Sequence, residues 1–194
     1  TGTDNTAFGA IALKMANGAK NTAVGADALI TNSTGNVTTA VGYRALNDSL
    51  GSEQVAVGDD ALKAASSPHN VAIGSGAATG LTGGNVTAFG YKALTAVTDQ
   101  FNNAGAGYKA LTAVRACCNA ALGSNAGVKV DFGRHNIAVG YMAQSSNVNS
   151  DQNIAIGDNT LAANTAAKNT AVGSGALAAN TTGTPNTAVG YNTL

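Results

Sequence analysis

A glycine that recurs every 16 or 17 residues is the feature that most constrains this chain. It occurs twelve times without exception across 194 residues. The residue before it is apolar in every copy, and the residue two before it is Ala in eleven copies. A short, strict period of this kind indicates a repeat array in which each unit packs against its neighbours. The glycines are Gly9, Gly25, Gly42, Gly58, Gly74, Gly90, Gly107, Gly123, Gly140, Gly157, Gly173 and Gly190.

Other columns of the repeat keep their character as well. Ala usually stands three residues after the glycine, and Leu four after. None of the twenty charged residues occupies the three positions before the glycine, the glycine itself or these Ala and Leu positions. We therefore expect these columns to be shielded from water. Asn stands four before the glycine in nine copies, as Asn5, Asn21, Asn70, Asn103, Asn119, Asn136, Asn153, Asn169 and Asn186.

The period selects the fold class. A unit of 16 to 17 residues is too short for a helix-pair repeat or a leucine-rich repeat. It suits one turn of an all-β parallel solenoid with two short strands per coil, and residues 1–194 form a single array of about twelve coils. A coil this short encloses a thin core, and its Ala column leaves room for another backbone. We therefore expect copies of the array to pack together in a closed symmetric oligomer.

The glycine and asparagine columns have structural interpretations. The glycine supplies a corner that needs a positive φ or a close backbone approach. Stacked Asn side chains can hydrogen-bond along their column as a ladder, as identical amides do in stacked β structure.

Composition and charge exclude several classes of function. Ten basic and ten acidic residues cancel, which argues against nucleic acid as a partner. No apolar run reaches the roughly 18 residues of a membrane span, so no membrane contact is expected of this segment. His69 and His135 lie four coils apart, and the adjacent Cys117 and Cys118 lack metal-ligand spacing. We therefore predict no catalytic residues, no metal and no cofactor, and thiols that are buried or, alternatively, bonded between chains.

Five tyrosines follow the repeat glycine directly, in a column where other copies carry Asp or Ser. That column must therefore face water. The next column adds basic residues to three of the tyrosines. The row is interpreted either as a ligand-binding surface or as stacking that stabilises the rod. It comprises Tyr43, Arg44, Tyr91, Lys92, Tyr108, Lys109, Tyr141 and Tyr191.

The repeat also resembles a known family. Asn-Thr-Ala-Val-Gly at 21–25, 169–173 and 186–190, and Asn-Ile-Ala-Ile-Gly at 153–157, are similar to the head repeat of trimeric autotransporter adhesins, the YadA-like head. The longer unit with Ala-Leu is similar to repeats of phage tail fibres. The resemblance implies a left-handed parallel β-roll with three chains around a common axis. The coils are longer than is typical of that head.

The function expected from this resemblance is a structural, adhesive segment of a longer extracellular fibre. Its partners would be further copies of itself and a host receptor, matrix protein or glycan. It would belong to a bacterial cell surface or to a phage tail on the virion. The alternative is a monomeric ice-binding solenoid, although Thr follows the Asn position in only six copies. Glycosylation sequons at Asn32, Asn36, Asn47, Asn85 and Asn180 remain optional sites.

Overall fold

A computed structural model describes residues 2–15, 17–32, 34–96, 101–131 and 133–193. Each repeat contributes one three-residue strand, which ends directly before the recurrent glycine. The strands are β1 (Thr6–Phe8), β2 (Thr22–Val24), β3 (Thr39–Val41), β4 (Val55–Val57), β5 (Val71–Ile73), β6 (Thr87–Phe89), β7 (Ala104–Ala106), β8 (Ala120–Leu122), β9 (Ile137–Val139), β10 (Ile154–Ile156), β11 (Thr170–Val172) and β12 (Thr187–Val189).

The twelve strands form one parallel sheet in chain order. Equivalent repeat positions pair throughout, as Ala23 does with Ala40 and Ala40 with Ala56. Each strand therefore stacks on the strand of the next coil, and the chain advances along the sheet by one strand per turn. This confirms an all-β parallel solenoid. The described residues include no helix that could cross a lipid bilayer.

The side chains of each strand alternate between two faces, as the pleat of a strand requires. The central Ala points inward and is buried in every strand from β2 to β12, except in β7, where the buried central residue is Gly105. It packs against the Ala and Leu that follow the glycine, such as Ala45 and Leu46, which are fully buried. One continuous apolar core therefore runs along the rod.

The half of each coil after the glycine differs from the sequence-based expectation. It contains no second strand in the described residues and consists of turns. The second and fourth residues after the glycine have positive φ values, as Arg44 and Leu46 do at 53° and 51°. Alternating positive and negative φ values curl the backbone, so a strand cannot continue there. Backbone hydrogen bonds still join the coils, as from Leu46 N to Ala61 O at 3.0 Å.

The recurrent glycines stack directly on one another. All twelve have φ between 122° and 139°, which side chains disfavour. A Cβ atom at Gly58 would lie 2.7 Å from the carbonyl carbon of Gly74 in the next coil. The absence of a side chain at this column therefore allows the coils to approach at strand spacing.

Eight of the nine column asparagines, all except Asn186, connect their coil to the next through their side chains. The backbone N–H of each later coil donates to Oδ1 of the asparagine in the coil before, as from Asn136 to Asn119 at 3.0 Å. The Nδ2 group of Asn119 donates to the carbonyl of Gly133 at 2.8 Å. The expected amide-to-amide ladder is thus mainly a ladder from backbone to side chain. Asn136 Nδ2 and Asn119 Oδ1 form one direct amide contact at 3.2 Å.

A second asparagine column, seven residues after the glycine, was missed by the sequence analysis. Asn32 holds a turn by accepting from Gly35 N and donating to Gly35 O. Asn147 makes the same pair of bonds with Ser150, and Asn180 makes it with Gly183. Asn180 also donates to Asn164 Oδ1 of the preceding coil at 3.0 Å. Asparagine amides therefore support two corners of several coils.

We expect Gly58→Ala to destabilise the rod by at least about 2 kcal/mol, because it adds both backbone strain and a clash with the next coil. Gly80→Ala is the matched control. Gly80 has a φ of 79° but no atom within 4 Å of the added methyl group, so strain alone should cost about 1 to 2 kcal/mol. Urea denaturation measures both, and equal losses would refute the stacking role of the Gly58 column.

Asn119→Val should lower the free energy of unfolding by about 3 kcal/mol. Valine fits this column, as Val86 shows, but it leaves the Asn136 N–H and the Gly133 carbonyl without their buried partner. The control is Asn186→Val, because Asn186 Oδ1 accepts from no backbone amide among the described residues. A loss as large at Asn186 as at Asn119 would contradict the ladder's contribution.

Gln144→Leu should stabilise the rod by about 1 to 3 kcal/mol. Gln144 occupies the Leu column, is fully buried, and has neither amide atom hydrogen-bonded within the described residues. Leucine removes that desolvation penalty and matches Leu161 in the next coil. Thermal and urea unfolding check the prediction. An unchanged or lowered stability would show that the amide of Gln144 has an effective partner.

Candidate functional site

The outer face of the sheet is an uncharged surface that runs along all twelve strands. It consists of the first and third residues of every strand, and none of these residues is buried. Most are Thr, Val, Ile or Phe, and none carries a charge. Phe8 is 76% exposed, Leu122 is 57% exposed and Ile156 is 41% exposed. The expectation that these columns are shielded from water is therefore correct for the Ala and Leu columns, which lie in the core. It is wrong for the first and third strand residues, which form this exposed face.

One depression interrupts the outer face at β7 and β8. It has a volume of about 230 Å³. Small residues replace the larger ones of other coils here, namely Ala104, Ala106 and Ala120, and Leu122 and Val139 also line the depression. The irregular repeat of this region therefore produces a shallow apolar hollow, while the strands keep their register.

The tyrosine column lies at the corner directly after the glycines, and all five rings are 43% to 78% exposed. Each basic residue of the next column approaches the ring beside it. Arg44 is 5.2 Å from the centroid of Tyr43, and the corresponding distances are 5.2 Å from Lys92 to Tyr91 and 5.1 Å from Lys109 to Tyr108. These are distances at which cation–π attraction acts.

The structure brings four of the eight predicted surface residues together. Tyr91 and Tyr108 stack with centroids 5.5 Å apart and ring planes 14° apart. Lys92 and Lys109 accompany them on the same two adjacent coils. The other tyrosines are separated from this pair and from one another by coils that carry Asp or Ser at the same position. Tyr43, Tyr141 and Tyr191 therefore stand as single rings.

The charge around these rings differs along the column. Arg44 forms an ion pair with Asp60 of the next coil, with Nε and Oδ1 3.0 Å apart. A hydrogen bond with Tyr43 and then the charge of Asp60 raise the pKa of Arg44. The backbone N–H of Tyr141 donates to Asp158 of the next coil at 3.0 Å. No ion pair involves Lys92 or Lys109 in the part of the chain that the structure describes.

Comparison with known proteins finds no matching family model, no matching curated protein and no matching solved structure. The resemblance to YadA-like heads and tail fibres therefore depends on the repeat residues alone.

The cysteines and histidines do not lie together in one site. Cys117 and Cys118 are free thiols and half-buried rather than buried, and a hydrogen bond with Cys117 raises the pKa of Cys118. His69 is exposed, with Nε2 3.4 Å from a carboxylate oxygen of Glu53. His135 occupies the same exposed corner four coils away. Across the described ranges, no group of three or more His, Cys, Asp or Glu is placed to hold a metal ion.

The sequons differ in accessibility. Asn32 is fully buried, and its side chain is bonded to the backbone of Gly35, so the folded chain offers no space for a glycan there. Asn36 and Asn85 are exposed, whereas Asn47 and Asn180 are half-buried.

Proposed function

We propose that this chain is a structural, adhesive segment of an extracellular fibre. Copies associate through the outer face of the sheet as a homotrimeric, left-handed β-roll, and the outward corners contact a host receptor, matrix protein or glycan. The fibre belongs to a bacterial cell surface, or alternatively to a phage tail. The observation that carries the proposal is the uncharged outer face, which a single chain leaves in water along all twelve strands.

The size of this face supports association. Strand spacings of about 4.8 Å and residue rises of about 3.3 Å give a face of roughly 500 Å² for the twelve three-residue strands. The largest apolar patch of a typical monomer is about 300 to 600 Å², and such patches are often functional. Two faces together would bury about 1,000 Å², where specific interfaces begin.

The absence of charge on this face favours a partner that is equally uncharged. A second copy offers such a surface, with the same strand spacing and the same repeat along its length. When two rods lie parallel, every coil can make the same contact, so the number of contacts grows with the number of coils. Several copies side by side would present each corner residue more than once, which raises the avidity of weak outward contacts.

The first experiment is the absolute mass of the 194-residue chain in solution, measured by light scattering across a dilution series. The proposal expects a species with three times the 18.9 kDa of one chain. A folded monomer at every concentration would overturn the assembly and favour the ice-binding alternative, which thermal hysteresis then tests.

Val57→Lys should convert the assembly to monomers, because a charged group in the apolar face would lose its water on association. Ala64→Lys is the matched control. Ala64 belongs to the same coil but is exposed in the turn half, away from the sheet. The expected result is loss of the multimeric mass in the first variant only, with circular dichroism showing the same fold in both. A Val57→Lys chain that keeps the wild-type mass would contradict association through this face.

A further inference from the structure

We propose that Tyr91, Lys92, Tyr108 and Lys109 form a binding site for an acidic polysaccharide. The proposal deepens the attachment function above by naming the chemistry of a ligand and the place where it binds. The four residues are called the stacked pair site below. They lie on two adjacent coils, at the corner that follows β6 and β7.

The stacked pair site places two lysines side by side, neither of them in an ion pair within the described residues. Lys92 and Lys109 occupy the same column on neighbouring coils, so their Cα atoms are separated by about one strand spacing of 4.8 Å. In the described residues neither ammonium group has a carboxylate within ion-pair distance. Two adjacent like charges favour an anion between them.

The coils on either side of the stacked pair site carry no charge in these two columns. On one side the two columns hold Ser75 and Gly76, and on the other side Ser124 and Asn125, all of which are neutral. The stem of Lys92 lies over Gly76, whose added Cβ atom would be 3.3 Å from Lys92 Cγ. In these two columns the neighbouring coils therefore place only small, neutral residues beside the stack, and Lys92 itself lies over the Tyr91 ring.

Acids reduce the attraction for an anion at Tyr43 and at Tyr141. Asp59 and Asp60 follow Tyr43 and Arg44 on the next coil, and Asp158 follows Tyr141. Arg44 is already paired with Asp60. The stacked pair site is thus the one place among these ring–cation pairs where the cations have no acidic neighbour in the described structure.

The exposed tyrosine rings favour a ligand that has an apolar face in addition to a negative charge. Tyr91 is 43% exposed and Tyr108 is 47% exposed, so apolar ring surface lies beside the two ammonium groups. The C–H face of a pyranose packs on such a surface, while a carboxylate or sulfate accepts hydrogen bonds from lysine. Ser124 and Asn125 supply further hydrogen-bonding groups for sugar hydroxyls. An acidic sugar chain satisfies all three kinds of group, whereas a neutral glycan leaves the lysines unused.

The test measures binding of the full chain to four probes at physiological salt: a heparin oligosaccharide, an oligogalacturonate, dextran and polyglutamate. We expect binding to the two acidic sugars, with at least tenfold weaker binding to dextran and to polyglutamate. Binding to heparin alone identifies sulfate as the preferred anion, and binding to both acidic sugars identifies the carboxylate as sufficient. Equal binding of polyglutamate would overturn the proposal, because charge alone would then explain it.

Two double variants separate the cations from the rings. Lys92→Asn with Lys109→Asn should abolish binding, and Tyr91→Ser with Tyr108→Ser should weaken it at least tenfold. Asn and Ser occur naturally in these two columns, as Asn125 and Ser124, so each replacement fits the local backbone.

The chain offers a matched control for each double variant. Lys20 and Lys168 are exposed lysines with φ of 60° and 62°, so Lys20→Asn with Lys168→Asn removes the same charge from the same kind of backbone. Tyr43→Ser with Tyr141→Ser removes two single rings. Both controls should bind as the wild type does.

Three results would overturn the site: no binding of either acidic sugar, equal losses in the controls, or loss on lysine replacement without loss on tyrosine replacement. The solution mass distinguishes failure of this binding site from failure of the proposed assembly. A multimer that binds no acidic sugar refutes the site alone, and a monomer that binds one refutes the assembly alone.

Discussion

Backbone contact at the stacked glycines is the constraint on which the rest of this structure depends. Gly58 lies against Gly74 so closely that a methyl group would overlap the neighbouring carbonyl, and the same holds along the column. Because the coils meet there at strand spacing, every other column is forced into register with itself. The paired alanines of the sheet, the buried leucines and the asparagine ladder all follow from that alignment.

Much of this architecture could be predicted from the repeat, because a strict period places identical residues one above another. The turn half could not, since the Leu column suggested a strand and gave no sign of positive φ. Leu46 accepts an αL conformation that costs about 1 to 2 kcal/mol, and its complete burial contributes about 1.5 to 3 kcal/mol in return. A clue was present in the column two after the glycine, where Asp27, Asn159 and Gly175 are residues that tolerate that conformation.

The candidate surfaces were only half predictable for a related reason. Alternation along a strand puts the central alanine on one face of the sheet and its two neighbours on the other face. It does not indicate which of the two faces packs against the core. Alanine takes the inside because the coil is too thin for larger side chains opposite Leu46 and its equivalents. Residues such as Val57 and Ile156 are therefore displaced outward, and apolar character that would normally fill a core becomes available for contact between chains.

The corner after each glycine is where this rigid scaffold allows variation. Its side chains point to solvent, so Tyr43, Asp59 and Ser75 can follow one another without disturbing the pairing behind them. Neighbouring coils hold those side chains one strand spacing apart, which turns any two chosen residues into a fixed pair. Tyr91 and Tyr108 stack because the backbone places them at that distance, and Lys92 and Lys109 are held side by side for the same reason. A ligand at the proposed stacked pair site would therefore meet preorganised groups, and a change at one coil would alter recognition without requiring a change in the fold.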